Sequence, residues 1–117
     1  MKIQDITGTF SIIGSNQDNS DTSYNGTLTL SLDTNDRIVA TWLINKDQAQ
    51  QGTGFFKNNI LVINFNYNGE DKQVYKGVVV YQCLTPDILD GFWSEKFGDP
   101  LFLGEERCFR IKKAPLN

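Results

Sequence analysis

Histidine is absent from the chain. Without it no Ser-His-Asp or Cys-His arrangement can form, which removes the commonest nucleophilic catalysts. Cysteine is scarce. Cys83 and Cys108 are the only two, and they lack Cys-x-x-Cys or metal-ligand spacing. They are expected two strands apart, as free buried thiols rather than a disulfide. No Gly-rich phosphate loop occurs, and nothing in the chain implies a metal or cofactor. Positive charge is thin and scattered: the net charge is −3 and the isoelectric point about 4.8. A binder of the nucleic-acid backbone needs clustered cations to release counterions, so no nucleic-acid partner is expected. The one basic cluster, Arg110, Lys112 and Lys113, ends the last predicted strand and reads as a solvated terminus.

Long apolar runs are also missing. None approaches the roughly 18 residues of a spanning helix, so no membrane span is expected. Met1 and Lys2 are followed by Asp5, Thr7 and Gly8, which leaves no apolar leader. Read as it stands the chain is expected in the cytoplasm. A leader already removed would leave no trace, so secretion stays open.

What remains is the composition of one globular domain, residues 1–117, with 39% hydrophobic and 21% charged residues. Turn chemistry recurs at short intervals, as in Ser15–Asp21, Asp33–Asp36, Asn45–Asp47, Lys57–Asn59, Asn68–Gly69, Thr85–Asp87 and Gly98–Pro100. Between the turns lie short runs rich in Thr, Val, Ile, Phe and Tyr. Strands are predicted over Thr7–Gly14, Tyr24–Leu32, Ile38–Asn45, Gly52–Phe56, Ile60–Tyr67, Val74–Cys83, Leu89–Ser94 and Arg107–Lys112. The polar stretch Lys46–Gln51 is assigned to a hairpin loop.

Alternation supports the strands. Gly26, Leu28, Leu30 and Leu32 share one face of the second, and Thr27, Thr29 and Ser31 the other. In the third, Ile38, Ala40, Trp42 and Ile44 line one face, and in the fifth Leu61, Ile63, Phe65 and Tyr67 do so. Glycines repeat two residues before large apolar ones, as in Gly8-Thr9-Phe10, Gly54-Phe55-Phe56 and Gly91-Phe92-Trp93. An inward glycine beside a large inward side chain suits a tightly coiled small barrel. The fold class predicted is all-β: an antiparallel up-and-down barrel of about eight strands.

The opening Ile6-Thr7-Gly8-Thr9-Phe10 resembles the first strand of avidin-like and other calycin (lipocalin-type) barrels. Tyr24-Asn25-Gly26-Thr27-Leu28, Gly52-Thr53-Gly54, Gly77-Val78-Val79-Val80-Tyr81, Asp90-Gly91-Phe92-Trp93 and Gly104-Glu105-Glu106 resemble a group of small bacterial barrel domains, some described as fibronectin-binding-like. The resemblance runs over most of the chain and implies the barrel fold. Biotin binding does not carry over, because that family surrounds its pocket with several tryptophans and only Trp42 and Trp93 occur here. The lipocalin pattern is incomplete as well, with Phe10 where a Gly-x-Trp motif has Trp.

Acid–base chemistry finds no pair to carry it. The adjacent Glu105 and Glu106 point to opposite faces of a strand, so a non-catalytic domain is expected. A binding role is read in two ways. In one, a small, partly apolar ligand enters the barrel mouth against Trp42, Phe65, Tyr81 and Trp93. If Phe109 and Ile111 face inward, Arg107 and Glu105 share that face, and Arg107 pairs with Glu105 or with the ligand. A cavity below roughly 100 Å³ would exclude this reading. In the other, the barrel is filled and its outer wall binds protein. Ile60, Val62, Val78 and Val80 point outward, with Val39, Leu43 and Phe92, where an isolated barrel carries polar residues. A two-fold homodimer is the simplest way to cover such a wall.

Overall fold

The computed structural model describes residues 1–18, 20 and 22–112. Eight strands follow a short 3-10 segment at Ile3–Ile6: β1 (Gly8–Ser15), β2 (Ser23–Leu32), β3 (Ile38–Ile44), β4 (Gln48–Lys57), β5 (Ile60–Asn68), β6 (Val74–Thr85), β7 (Ile88–Glu95) and β8 (Gly104–Arg110). Each pairs antiparallel with its neighbour in the chain, and β8 returns to β1 to close the barrel. The predicted class is therefore the observed one. Among the described residues no helix is long and apolar enough to cross a membrane.

Closure satisfies every strand edge, and the alternation read from sequence decides which side chains fill the interior. Phe10, Leu28, Leu30, Ile38, Leu61, Ile63, Tyr81 and Leu89 are buried almost completely. Each such side chain contributes about 1.5–3 kcal/mol by leaving water. Cys83 and Cys108 flank Leu89 on one cross-strand row, two strands apart, and both thiols are free and buried. Burial pushes the Cys83 thiol up to about 11 and raises that of Cys108 too.

The two ends differ. At one, β4 and β5 are joined by Asn58-Asn59 alone, both at positive φ (52° and 63°), which a two-residue hairpin turn requires and asparagine tolerates. The 3-10 segment seals this base with Ile6, which is fully buried. Arg110 locks it. Its guanidinium donates to Asp87 Oδ1 (2.9 Å) and to the carbonyls of Thr7 (2.6 Å), Asp5 (2.8 Å) and Pro86 (2.8 Å), and lies 4.8 Å over the Phe10 ring. The other end carries the loops 16–22, 45–47, 69–73 and 96–103 and forms the mouth.

Two strands, β4 and β8, depart from their predicted bounds by more than two residues. β4 begins at Gln48, because Gln48 and Gln50 continue the ladder opposite Ile44 and Trp42. Their inward side chains are polar, so the stretch hid its alternation. β8 begins at Gly104 and ends at Arg110, and its inward face is Gly104, Glu106, Cys108 and Arg110. Phe109, Arg107 and Glu105 face out, one residue out of phase with expectation. The chain's most polar inward face sits on this strand, while apolar Phe109 lies outside, half-exposed. Lys112 pairs with Asp87; Asn19, Asp21 and Lys113, placed above in a turn and a solvated terminus, lie outside the described residues.

Candidate binding site

Glycine spacing assembles the site. On one cross-strand row, Tyr24 of β2, Gly14 of β1, Glu106 of β8, Gly91 of β7 and Tyr81 of β6 stand side by side. A Cβ at Gly14 would collide with the Tyr24 ring, and one at Gly91 with the Tyr81 ring. Glycine at both positions lets the two phenols lie across the intervening strands and reach Glu106 from opposite sides. The same close approach recurs higher up, where Phe65 lies over Gly77 and Trp93 over Gly104.

Glu106 is the only buried charged residue among the described residues. Its Oε2 accepts from the Tyr24 hydroxyl at 2.7 Å, and its Oε1 from the Tyr81 hydroxyl at 2.6 Å and Trp42 Nε1 at 3.3 Å. Trp93 Nε1 donates in turn to the Tyr24 hydroxyl at 3.0 Å. The network has no orphan: every buried side-chain nitrogen and oxygen among the described residues has a partner. Burial raises the Glu106 carboxyl above its ordinary value, and the bonds from Tyr81, Tyr24 and Trp42 pull it back. The same burial, with the Glu106 charge beside them, raises the phenols of Tyr24 and Tyr81.

Above this row the core stops and a cavity of about 200 Å³ opens toward the mouth. Trp42, Phe65, Tyr67 and Trp93 form its aromatic wall, Glu106 and Tyr24 its inner end, and Asn16, Gln48, Gln50 and Glu95 its polar lining. Phe65 meets Trp42 and Trp93 edge to face, at 71° and 82°, and stacks on Tyr67 at 16°. Tyr67 donates its hydroxyl to Glu95. The rim is braced from β1's loop by Gln17, whose side chain donates to Ser94 Oγ (2.9 Å) and the Asp99 carbonyl (3.1 Å) and accepts from the Glu95 amide (2.8 Å).

Of the residues expected at the ligand, Trp42, Phe65 and Trp93 line this cavity. Tyr81 is fully buried behind it and acts on it through Glu106 and through Trp42, whose Nε1 also donates to the Tyr81 hydroxyl at 3.3 Å. Arg107 does not belong: it lies on the outer face, with Nη2 3.3 Å from Asp90 Oδ2, and Glu105 is exposed. Sequence reasoning missed Glu106, Tyr24 and the two glutamines. The one available signal was Gly14 and Gly91 with tyrosines on the next strands, which needs the register to be visible. Ile60, Val62, Val78 and Val80 do point outward. Among the described residues no cluster of three or more acidic or cysteine side chains could hold a metal ion.

No family model and no curated protein matches the chain. Two solved structures resemble it. One is a redesigned β barrel, b11L5F_LGL, with a TM-score of 0.73 at 12% identity over 94% of this chain and 95% of the other. The second is EF1p2_mFAP2b, solved bound to DFHBI, with a TM-score of 0.64 at 15% identity over 92% of this chain and 95% of the other. At these identities the likeness is one of fold: this chain shares with them a small antiparallel β-barrel.

Proposed function

We propose that the chain is a non-catalytic binding protein that holds a small, partly apolar ligand in the barrel mouth. The observation that carries this reading is the cavity of about 200 Å³ that interrupts an otherwise filled core. It exceeds the size at which a ligand would be excluded, and aromatic walls around a few fixed polar groups are what small-molecule pockets share. Glu106 already accepts from Tyr24, Tyr81 and Trp42, which suits a fixed charge better than a proton shuttle. The bound molecule of EF1p2_mFAP2b, in a barrel of similar fold, agrees with such a use. Kinship with avidin-like and calycin barrels, read from the Gly-centred motifs, belongs to the same proposal. Both tryptophans of the chain line the cavity, so intrinsic fluorescence reports on it directly. A metabolite panel should yield compounds that shift the emission saturably, with Trp93→Phe weakening them. A panel that leaves the emission unchanged, while calorimetry detects no heat, would refute the pocket.

A second reading, self-association, is supported by the outer wall. Phe55, Val62, Val80 and Phe92 stand on a single cross-strand row over β4 to β7, all outward, with Val78 and Ile60 exposed beside them. A second copy of the chain would cover this row with its own.

A further inference from the structure

We propose that the mouth selects a small organic cation, a protonated amine or quaternary ammonium, whose charge is directed toward Glu106 and whose apolar body rests against Trp42, Phe65 and Trp93. This deepens the pocket reading and rests on it.

The charge inventory is one-sided. Among the described residues the only ionisable side chains around the cavity besides tyrosine are Glu95 and Glu106, and no Lys or Arg lines it. A buried carboxylate with no cationic partner is costly, and a bound cation offsets that cost. The hydrogen-bond wiring points the same way. The Tyr24 and Tyr81 hydroxyls and Trp42 Nε1 all donate toward Glu106, and the Tyr24 oxygen already accepts from Trp93. Such an arrangement matches an acceptor-only, ionised carboxylate; a protonated one would need a hydroxyl to turn around and receive its proton.

The same wiring disfavours anions. The indole N–H groups of Trp42 and Trp93 and the hydroxyls of Tyr24 and Tyr67 are all committed to partners inside the wall. The strong donors of the wall are used up, and only amides of the polar lining remain to meet a negative group. Ring geometry supplies the third argument. Trp42 and Trp93 each stand nearly perpendicular to Phe65, with centroids 6.2 and 6.1 Å from it. Crossed rings bounding one space offer a cation several π faces at once, which is how ammonium groups are recognised.

The test uses the intact chain and three matched probes: phenethylamine, 2-phenylethanol and phenylacetate, followed by calorimetry and tryptophan emission. The amine should bind roughly tenfold or more tightly than the alcohol, and phenylacetate should not bind. Glu106→Gln should close the gap by weakening the amine alone. If the alcohol or phenylacetate binds as well as the amine, the cation inference falls while the pocket stands. If none of the three binds, both fall. A second measurement needs no change at Glu106. Benzyltrimethylammonium keeps its charge at every pH, so its affinity should fall on acidification from about pH 7 to about pH 4 as Glu106 takes up a proton. The other titratable groups facing Glu106 are Tyr24 from β2, Tyr81 from β6 and Cys108 from β8, all held above their ordinary values and so unable to titrate in that range. Glu95→Gln should retain the fall. An affinity that stays level, or a fall that vanishes in Glu95→Gln, overturns the assignment to Glu106.

Discussion

Tyr24 donates to Glu106 across the bare backbone of Gly14, which stands between them on β1. Tyr81 does the same from the other side across Gly91. Any side chain at either glycine must displace a phenol ring from the carboxylate. Gly14→Val and Gly91→Val should each cost about 1–3 kcal/mol from overpacking alone. Chemical denaturation measures it, and a variant as stable as the wild type would show that the row is not held this tightly.

The proton on Glu106 should appear in the pH dependence of stability. Burial holds the folded carboxyl above its ordinary value of 4.5, so the folded chain keeps its proton where the unfolded chain has released it. This contribution is complete below the ordinary value and is lost as pH rises through the raised one. Partly exposed surface carboxylates such as Asp33 and Asp87, held low by hydrogen bonds from the Arg37 amide and from Lys112, act in the opposite sense. Comparison with Glu106→Gln removes that shared background. Urea unfolding should show the wild type gaining on Glu106→Gln as pH falls from about 7 to about 4. A difference that stays level would contradict the raised carboxyl.

At the sealed base, Arg110 combines an ion pair with three carbonyl contacts through one planar fork. Lysine keeps the charge but not the fork. Arg110→Lys should lower stability by about 2–3 kcal/mol. The tryptophans, at the mouth, should keep their emission maximum. An emission shift equal to that of a mouth variant would mean the two ends are not independent.

Self-association is tested on the outer row. Val78→Lys combined with Val80→Lys places charge in the middle of the apolar wall without entering the core, since both side chains point out. Light scattering at roughly tens of micromolar, a range in which moderate dimers persist, should give a dimer for the wild type and a folded monomer for the variant. A monomeric wild type would retire the interface.

Where one face is apolar, the fold was legible. β2, β3 and β5 alternate cleanly, and their inward residues were read in register. The reading failed at β4 and β8, and for one reason. Gln48, Gln50 and Glu106 face inward because the barrel is not filled at that level. Polar residues lining a cavity look, in sequence, like residues facing solvent. On β8 the apolar Phe109 then drew the register one residue off and carried Arg107 inward with it. Trp42, Phe65 and Trp93 were found because aromatic residues keep the alternation even beside a cavity. Glu106 was passed over because its environment is made by Tyr24 and Tyr81, which are remote in sequence.

The order of strands around the barrel is the order along the chain, so seven of the eight pairings join neighbours through a loop. The pairing of β1 with β8 is different in kind, and Arg110 there bonds to Thr7, 103 residues away. Seven hairpins can zip locally and quickly; the seam must wait for both ends of the sheet. Until it shuts, β1 and β8 are open edges, each a template for the matching edge of another molecule. The hazard of misassembly is thus concentrated in the last step of folding, and the Arg110 clasp is the part that ends it.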